Sequence, residues 1–341
     1  MPKPKDRPIS LALQGGGAHG AFTWGVLDRL IEEPRLKIKA ITATSAGAAN
    51  AVAFAAGLAQ NGEDGAKANL ERLWRTVSEK GAPFSAFSWS NSPLAALPFG
   101  PMHLAMAFTS IASPYEFNPF DINPLRDALD EAVDFDAVLG SPVKLFLSAT
   151  NVETGRVKIF QDEEITRDAV LASACLPQTF RAVEINGNAY WDGGYMGNPS
   201  LFPLIYAKAP RDVLLVLLNP ISRLGVPKRV PEIMDRLNEI SFNASLIGEL
   251  RAIAFVQKLL DDGMLTEPAI KKYRRLTIHA LRGGQVLRDL SMQTKYDTSW
   301  TFLTDLRDKG RAEAERWLHS CAKHLGSGAS SVDLQKEFLQ N

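Results

Sequence analysis

ISLALQGGGAHGAF, residues Ile9 to Phe22, decides the fold. Ile9–Gln14 is a short apolar run of strand length. Gly15, Gly16 and Gly17 break it, and apolar residues then recur at helical spacing from about Ala21 to Ile31. A strand that turns through glycine into a helix opens a βα unit, and a second unit follows at once. Ile38–Thr44 reads as a strand and Ala46–Gln60 as a helix of small residues. Downstream, strands are expected at Val143–Ala149, Val157–Phe160, Val183–Ile185 and Val213–Leu218, with an edge strand at Leu276–Ala280. Helices are expected at Ala66–Ser78, Pro124–Val133, Asp168–Ala174, Glu232–Leu260 and Ala312–His324. This alternation implies an α/β fold with parallel strands, right-handed crossovers and helices on both faces. Such a sheet does its chemistry outside the carboxyl ends of its strands.

The composition limits the partners. The chain has 341 residues, 45% of them apolar, and 38 basic side chains balance 38 acidic ones. That supports a sizeable core and lacks the positive surplus of a nucleic-acid binder. Cys175 and Cys321 are the two cysteines, too few for a disulfide framework or a zinc cluster. The start, MPKPKDRPIS, has no apolar stretch of export-signal length, and Pro93–Ala112 is interrupted by Pro98, Gly100, Pro101 and His103. A cytoplasmic protein is expected.

Gly15–Gly20 fits G-x-G-x-x-G between a strand and a helix, the context of a dinucleotide loop. A nucleotide-binding oxidoreductase would also carry an acidic residue at the end of the second strand to hold the ribose. Ile38–Thr44 contains none, and Ser45 stands at its end. The other use of such a loop is to aim backbone N–H groups, with the positive end of the following helix, at an oxyanion. A plain tight turn is the structural alternative.

Ala43-Thr44-Ser45-Ala46-Gly47 matches the G-x-S-x-G nucleophile turn except at its first position. A helix N-cap is the other reading of Ser45. A serine hydroxyl needs a base. The chain has five histidines, and none of them sits in a turn that would aim it at Ser45. Asp192 stands in Tyr190-Trp191-Asp192-Gly193-Gly194, which follows a short strand and turns on two glycines, where a carboxylate can approach another backbone closely. Desolvation would raise its proton affinity and improve it as a base. The competing reading of Asp192 is an ordinary Asp-Gly hairpin.

Taken in order, Gly15–Gly20, Thr44-Ser45-Ala46-Gly47, Ala172–Pro177, Asp192-Gly193-Gly194 and Asn198-Pro199 resemble the patatin-like phospholipase family, from about Pro8 to Pro203. The resemblance implies a three-layer sandwich with a mainly parallel central sheet flanked by helices. It implies a serine acyl hydrolase acting on lipid carboxylic esters through a Ser–Asp dyad, with no cofactor and no metal. By position, Ser45 is then the nucleophile, Asp192 the base, and Gly15, Gly16 and Gly17 the oxyanion-hole donors. Two positions depart from the family: Ala43 where it usually has Gly, and His19 where it usually has Arg or Lys. A non-catalytic lipid-binding protein of the same fold is the remaining alternative.

The organisation expected is a catalytic core over 8–205, a mainly helical extension over 206–325 packed on the same core, and a flexible tail over 326–341. Within the core, 83–120 is rich in Phe, Trp, Met and Pro and poor in charge. It reads either as a lid for acyl chains or as another buried helical layer. The expected partner is a lipid or other acyl ester, with transient contact at a membrane interface and no nucleic acid.

Overall fold

In the computed structural model, which describes residues 6–85, 113–268 and 275–339, eight strands form one sheet. β1 (Arg7–Leu13) leads through the glycine loop into α1 (Gly20–Leu30), and β2 (Leu36–Thr44) leads into α2 (Ala46–Ser85). After α3 (Pro124–Ala132) come β3 (Lys144–Asn151), β4 (Val157–Gln161), α4 (Arg167–Ser173), β5 (Val183–Ile185) and β6 (Asn188–Asp192). β7 (Asp212–Leu217), α5 (Val230–Asp261), β8 (Thr277–Arg282), α6 (Trp300–Ser320) and α7 (Leu334–Phe338) complete the chain. The strand order is β5-β6-β3-β2-β1-β7-β8, with β4 also on β3. β3, β2, β1, β7 and β8 are parallel, while β4, β5 and β6 pair antiparallel.

The side-chain alternation of the strands makes the layers. β7 sends Leu214 and Val216 into the core shared with α1, α2 and α6, and Val213, Leu215 and Leu217 into the core shared with α5. Because both faces are covered, the strand is apolar at every position from Val213, the pattern of a parallel sheet interior. The expected three-layer sandwich, mainly parallel and flanked by helices, is the architecture observed.

Differences from the expected elements have local causes. The two helices expected at Ala46–Gln60 and Ala66–Ser78 are both present within α2, parted by a kink at Asn61 and Gly62, whose backbone leaves the helical region. α6 begins at Trp300 rather than near Ala312; the charged residues Asp305, Arg307, Asp308 and Lys309 around Leu306 obscure its apolar periodicity in the sequence. Its buried stripe is Leu303, Leu306, Gly310, Ala314 and Trp317. That helix lies on α1, joined by Arg311 to Asp28 and Glu32 and by Arg307 over the Trp24 ring. Within 206–325, the strands expected at Val213–Leu218 and Leu276–Ala280 are β7 and β8, and β7 lies between β1 and β8 inside the sheet. Among the described residues, no helix is long and apolar enough to cross a membrane.

The expectation of a flexible tail over 326–341 is corrected for its described part. Gly326 N–H donates to Asp212 Oδ2 at 3.1 Å, Asp333 caps α7, and Glu337 pairs with Arg282. Leu334 is fully buried against the α5 side of the sheet, with Val332 and Phe338 beside it. Three apolar residues at short spacing were enough to dock a segment that glycine and serine made look loose. Leu334→Ala should lower the urea-unfolding free energy by about 2–3 kcal/mol, whereas a loose tail would leave it unchanged.

Candidate active site

One edge of β3 brings the two candidate reactive residues together. β2 runs along that edge until Thr44 faces Ser148, then leaves the sheet at Ser45. From Ala149 onward, β6 takes over the edge in the antiparallel sense, and Asp192 stands opposite Ala149. β4 fills the other edge of β3 over the same residues. Ser45 and Asp192 therefore come from consecutive positions along one strand, although 147 residues separate them in sequence (192 − 45).

Hydrogen bonds lock this junction. Thr150 Oγ1 donates to Asp192 O at 2.8 Å, and Asp192 N–H donates to Cys175 O at 2.7 Å. Thr44 Oγ1 donates to Gly197 O at 2.6 Å. Ser173, at the end of α4, bridges the two strands. Its hydroxyl donates to Ser148 O at 2.7 Å and accepts the Ser45 N–H at 2.9 Å.

Ser45 has φ 55°, in the left-handed region that a non-glycine residue enters only under constraint. The turn is held by two close approaches. A Cβ on Gly47 would stand 2.5 Å from Leu13 O, and one on Gly15 would stand 2.7 Å from Ser45 Cβ. The serine turn and the glycine loop are thus pressed together at the ends of adjacent strands, and each needs glycine because of the other. Ala43 causes no distortion: it stays in register between Leu13 and Leu147, before the turn begins.

Asp192 is buried, and burial pushes its pKa up to about 6. The Gly194 N–H, the Ser45 side chain and the charge of Lys295 pull the other way, favouring the carboxylate. Oδ1 accepts the Gly194 N–H at 2.6 Å. Oδ2 is buried and has no hydrogen-bond partner among the described residues. A buried acceptor left open costs free energy, and a role in binding or catalysis is one reason such a group is kept.

The three glycines do not play equal parts. Gly15 N–H, expected as an oxyanion donor, is occupied by Asn198 Oδ1 at 2.7 Å. Gly16 and Gly17 donate their N–H groups to no described residue and lead through a 3₁₀ turn into α1. The loop rests on buried amides: Gln14 reaches Asn198 O, Asn243 Oδ1 and the Leu218 and Asn219 N–H groups. His19 is buried with a pKa lowered to about 3 by desolvation and by Lys295, so it is neutral. Its Nε2 lies 2.7 Å from Thr294 Oγ1.

The other histidines do not enter the described site. His279 is buried beside Asp212 at 3.1 Å, and His319 is on the exposed face of α6. Of the expected lid 83–120, residues 86–112, including His103, lie outside the described residues. Ser173, Gln14, Asn198 and Lys295 bond to or lie against these elements without having been singled out as site side chains from the sequence. Ser173 lies in Ala172–Pro177 and Asn198 precedes Pro199, but a lone polar residue carries no sign of a partner more than a hundred positions away.

Residues 11–207, more than half of the chain, match the family model described as patatin-like phospholipase. A search of curated proteins finds no match. Among solved structures, the crystal structure of VipD from Legionella pneumophila is similar at 13% identity and a TM-score of 0.36. That alignment covers 96% of this chain and 78% of that one.

The raised pKa of Asp192 has a thermodynamic consequence with a definite sign. Between pH 3.8 and about 6, the folded protein holds a proton that the unfolded chain has released, so stability falls as pH rises through that window. At pH 8 the buried carboxylate costs at most about 3 kcal/mol. Asp192→Asn should raise the melting temperature at pH 8, with the gain vanishing near pH 4. A constant difference at both pH values would contradict the burial argument.

Proposed function

The chain belongs to the patatin-like phospholipase family, a family of lipid acyl hydrolases, and we propose that it is a serine esterase working through Ser45 and Asp192. The observation that carries this reading is the open Oδ2 of a buried Asp192, next to a serine in a strained turn whose side chain already favours the carboxylate. Ser45 Oγ attacks the ester carbonyl carbon while its proton passes to Asp192. The N–H groups of Gly16 and Gly17, with the first turn of α1 behind them, hold the oxyanion; one such donor is typically worth about 10²–10³ in rate. Collapse expels the alcohol, which takes the proton from Asp192, and leaves an acyl group on Ser45. Asp192 then deprotonates a water that attacks the acyl-enzyme. The acid departs, and the proton returns to Ser45.

Burial makes Asp192 a better base than an ordinary carboxylate, because a proton affinity nearer neutrality improves the match to a hydroxyl. With a pKa of about 6 it is still largely ionised at pH 7. The substrate class is a lipid acyl ester. Contact with a lipid interface is supported by Val226, Val230, Met234 and Leu237, exposed apolar residues around the start of α5.

Ser45→Ala should lower hydrolysis of a p-nitrophenyl ester of a short acid by at least about 10³-fold and abolish labelling by a fluorophosphonate. Asp192→Asn should lose activity on the same scale, and the melting temperature of each variant checks the fold. Full turnover by pure Ser45→Ala would remove this reading. A non-catalytic lipid binder would show neither turnover nor labelling in the unaltered protein.

A further inference from the structure

Within the glycine loop the ionisable side chain is His19, and it is neutral. A positive charge reaches the loop from elsewhere. Lys295 belongs to the 3₁₀ turn Met292–Tyr296, and its main chain lies against the loop: a Cβ on Gly17 would stand 2.5 Å from Lys295 O. Its neighbour Thr294 meets His19 through the hydroxyl. Lys295 Nζ donates to Asn219 Oδ1 at 2.9 Å and Asn238 Oδ1 at 2.7 Å, and lies 5.5 Å from the centre of the Phe242 ring. Asn219 in turn donates from Nδ2 to Gly15 O at 3.1 Å. The ammonium is therefore tied to the loop through one amide side chain.

The partners of Nζ are neutral, and this is the informative feature. Three carboxylates act on Lys295 through space: Glu239 and Asp235 from α5, and Asp192 from β6. Glu239 is already taken by Arg223 at 2.7 Å and Arg236 at 3.0 Å. Asp235 Oδ1 accepts the Met292 N–H at 2.8 Å. A partly buried ammonium held by amides, and not cancelled by a contact ion pair, keeps its field available to the site around it.

We propose that Lys295 is an electrostatic positioning residue of this site: from outside the family-matched segment, tied to the glycine loop by its main chain and through Asn219, it supplies a positive charge that favours an oxyanion at Gly16 and Gly17 and the ionised form of Asp192. The proposal rests on the Ser45–Asp192 reading. Burial lowers the Lys295 pKa to about 8, so the two groups define a working window. Below about pH 6 Asp192 is protonated, and above about pH 8 Lys295 loses its charge. The other groups that feel Asp192 are Cys175, Tyr195 and Tyr296. All have pKa values raised above their ordinary alkaline range, and His19 stays neutral throughout.

The test is the pH profile of kcat/KM for a short-chain p-nitrophenyl ester, measured on the unaltered protein, Lys295→Met, Lys295→Arg and Ser45→Ala. The unaltered protein should give a bell with limbs near 6 and 8. Lys295→Met should lose about 10-fold at pH 7, move the acid limb up, and lose the alkaline limb. Lys295→Arg, which stays charged, should keep the acid limb and move the alkaline limb beyond pH 9. A merely structural lysine would change the height of the bell and leave its limbs in place. If the unaltered protein shows no alkaline limb below pH 10, or if folded Lys295→Met keeps both limbs, the inference is overturned while the dyad reading stands. Full activity in Ser45→Ala overturns the dyad reading itself.

Discussion

A single strand edge sets the distance between Ser45 and Asp192. β3 is paired on one side by β2 and then, as soon as β2 turns away, by β6. The spacing of two side chains that arrive from opposite directions is thereby fixed by the repeat of a hydrogen-bonded ladder, not by loops. This is the stiffest way a protein has to bring distant residues together, since sliding the register by one residue would turn every side chain to the opposite face. The bonds through Ser173, Thr44 and Thr150 then remove the remaining freedom at the junction.

The surroundings of this junction are polar but almost uncharged. Asp192 is buried with no contact ion pair: Oδ1 accepts one N–H, and the nearby Ser45 side chain and the Lys295 ammonium favour the ionised form without neutralising it. A direct salt bridge would have made the carboxylate more stable and less basic. The glycine loop is likewise set by amides. Gln14, Asn198, Asn219 and Asn243 satisfy one another and the backbone around Gly15 without bringing a formal charge to the loop. Such a network is rigid only while every member is satisfied.

Much of this was legible in the chain. Apolar runs marked all the parallel strands, and the turns after β1 and β2 could be read because glycine and serine are punctuation with a mechanism. Elsewhere the signal failed for physical reasons. Asp305–Lys309 hid the start of α6, since charges on a solvated face do not break a helix but do obscure its period. Glycine and serine after Gly326 suggested looseness, while Leu334 found a core to enter. Gly15 was expected to donate to a substrate, yet its amide goes to Asn198, a partner no local pattern could reveal.

The sequence by itself determined the fold class, the strand-to-helix turns at Gly15 and Ser45, and the candidate pair Ser45 and Asp192, because each depends on residue type within a few positions. The tertiary structure decided which amides of the loop stay open, how deeply Asp192 is desolvated, and that Lys295 rather than His19 carries charge beside the glycines. Those properties are fields and hydrogen bonds between segments up to 278 residues apart (295 − 17). Such distances through space do not exist until the sheet closes.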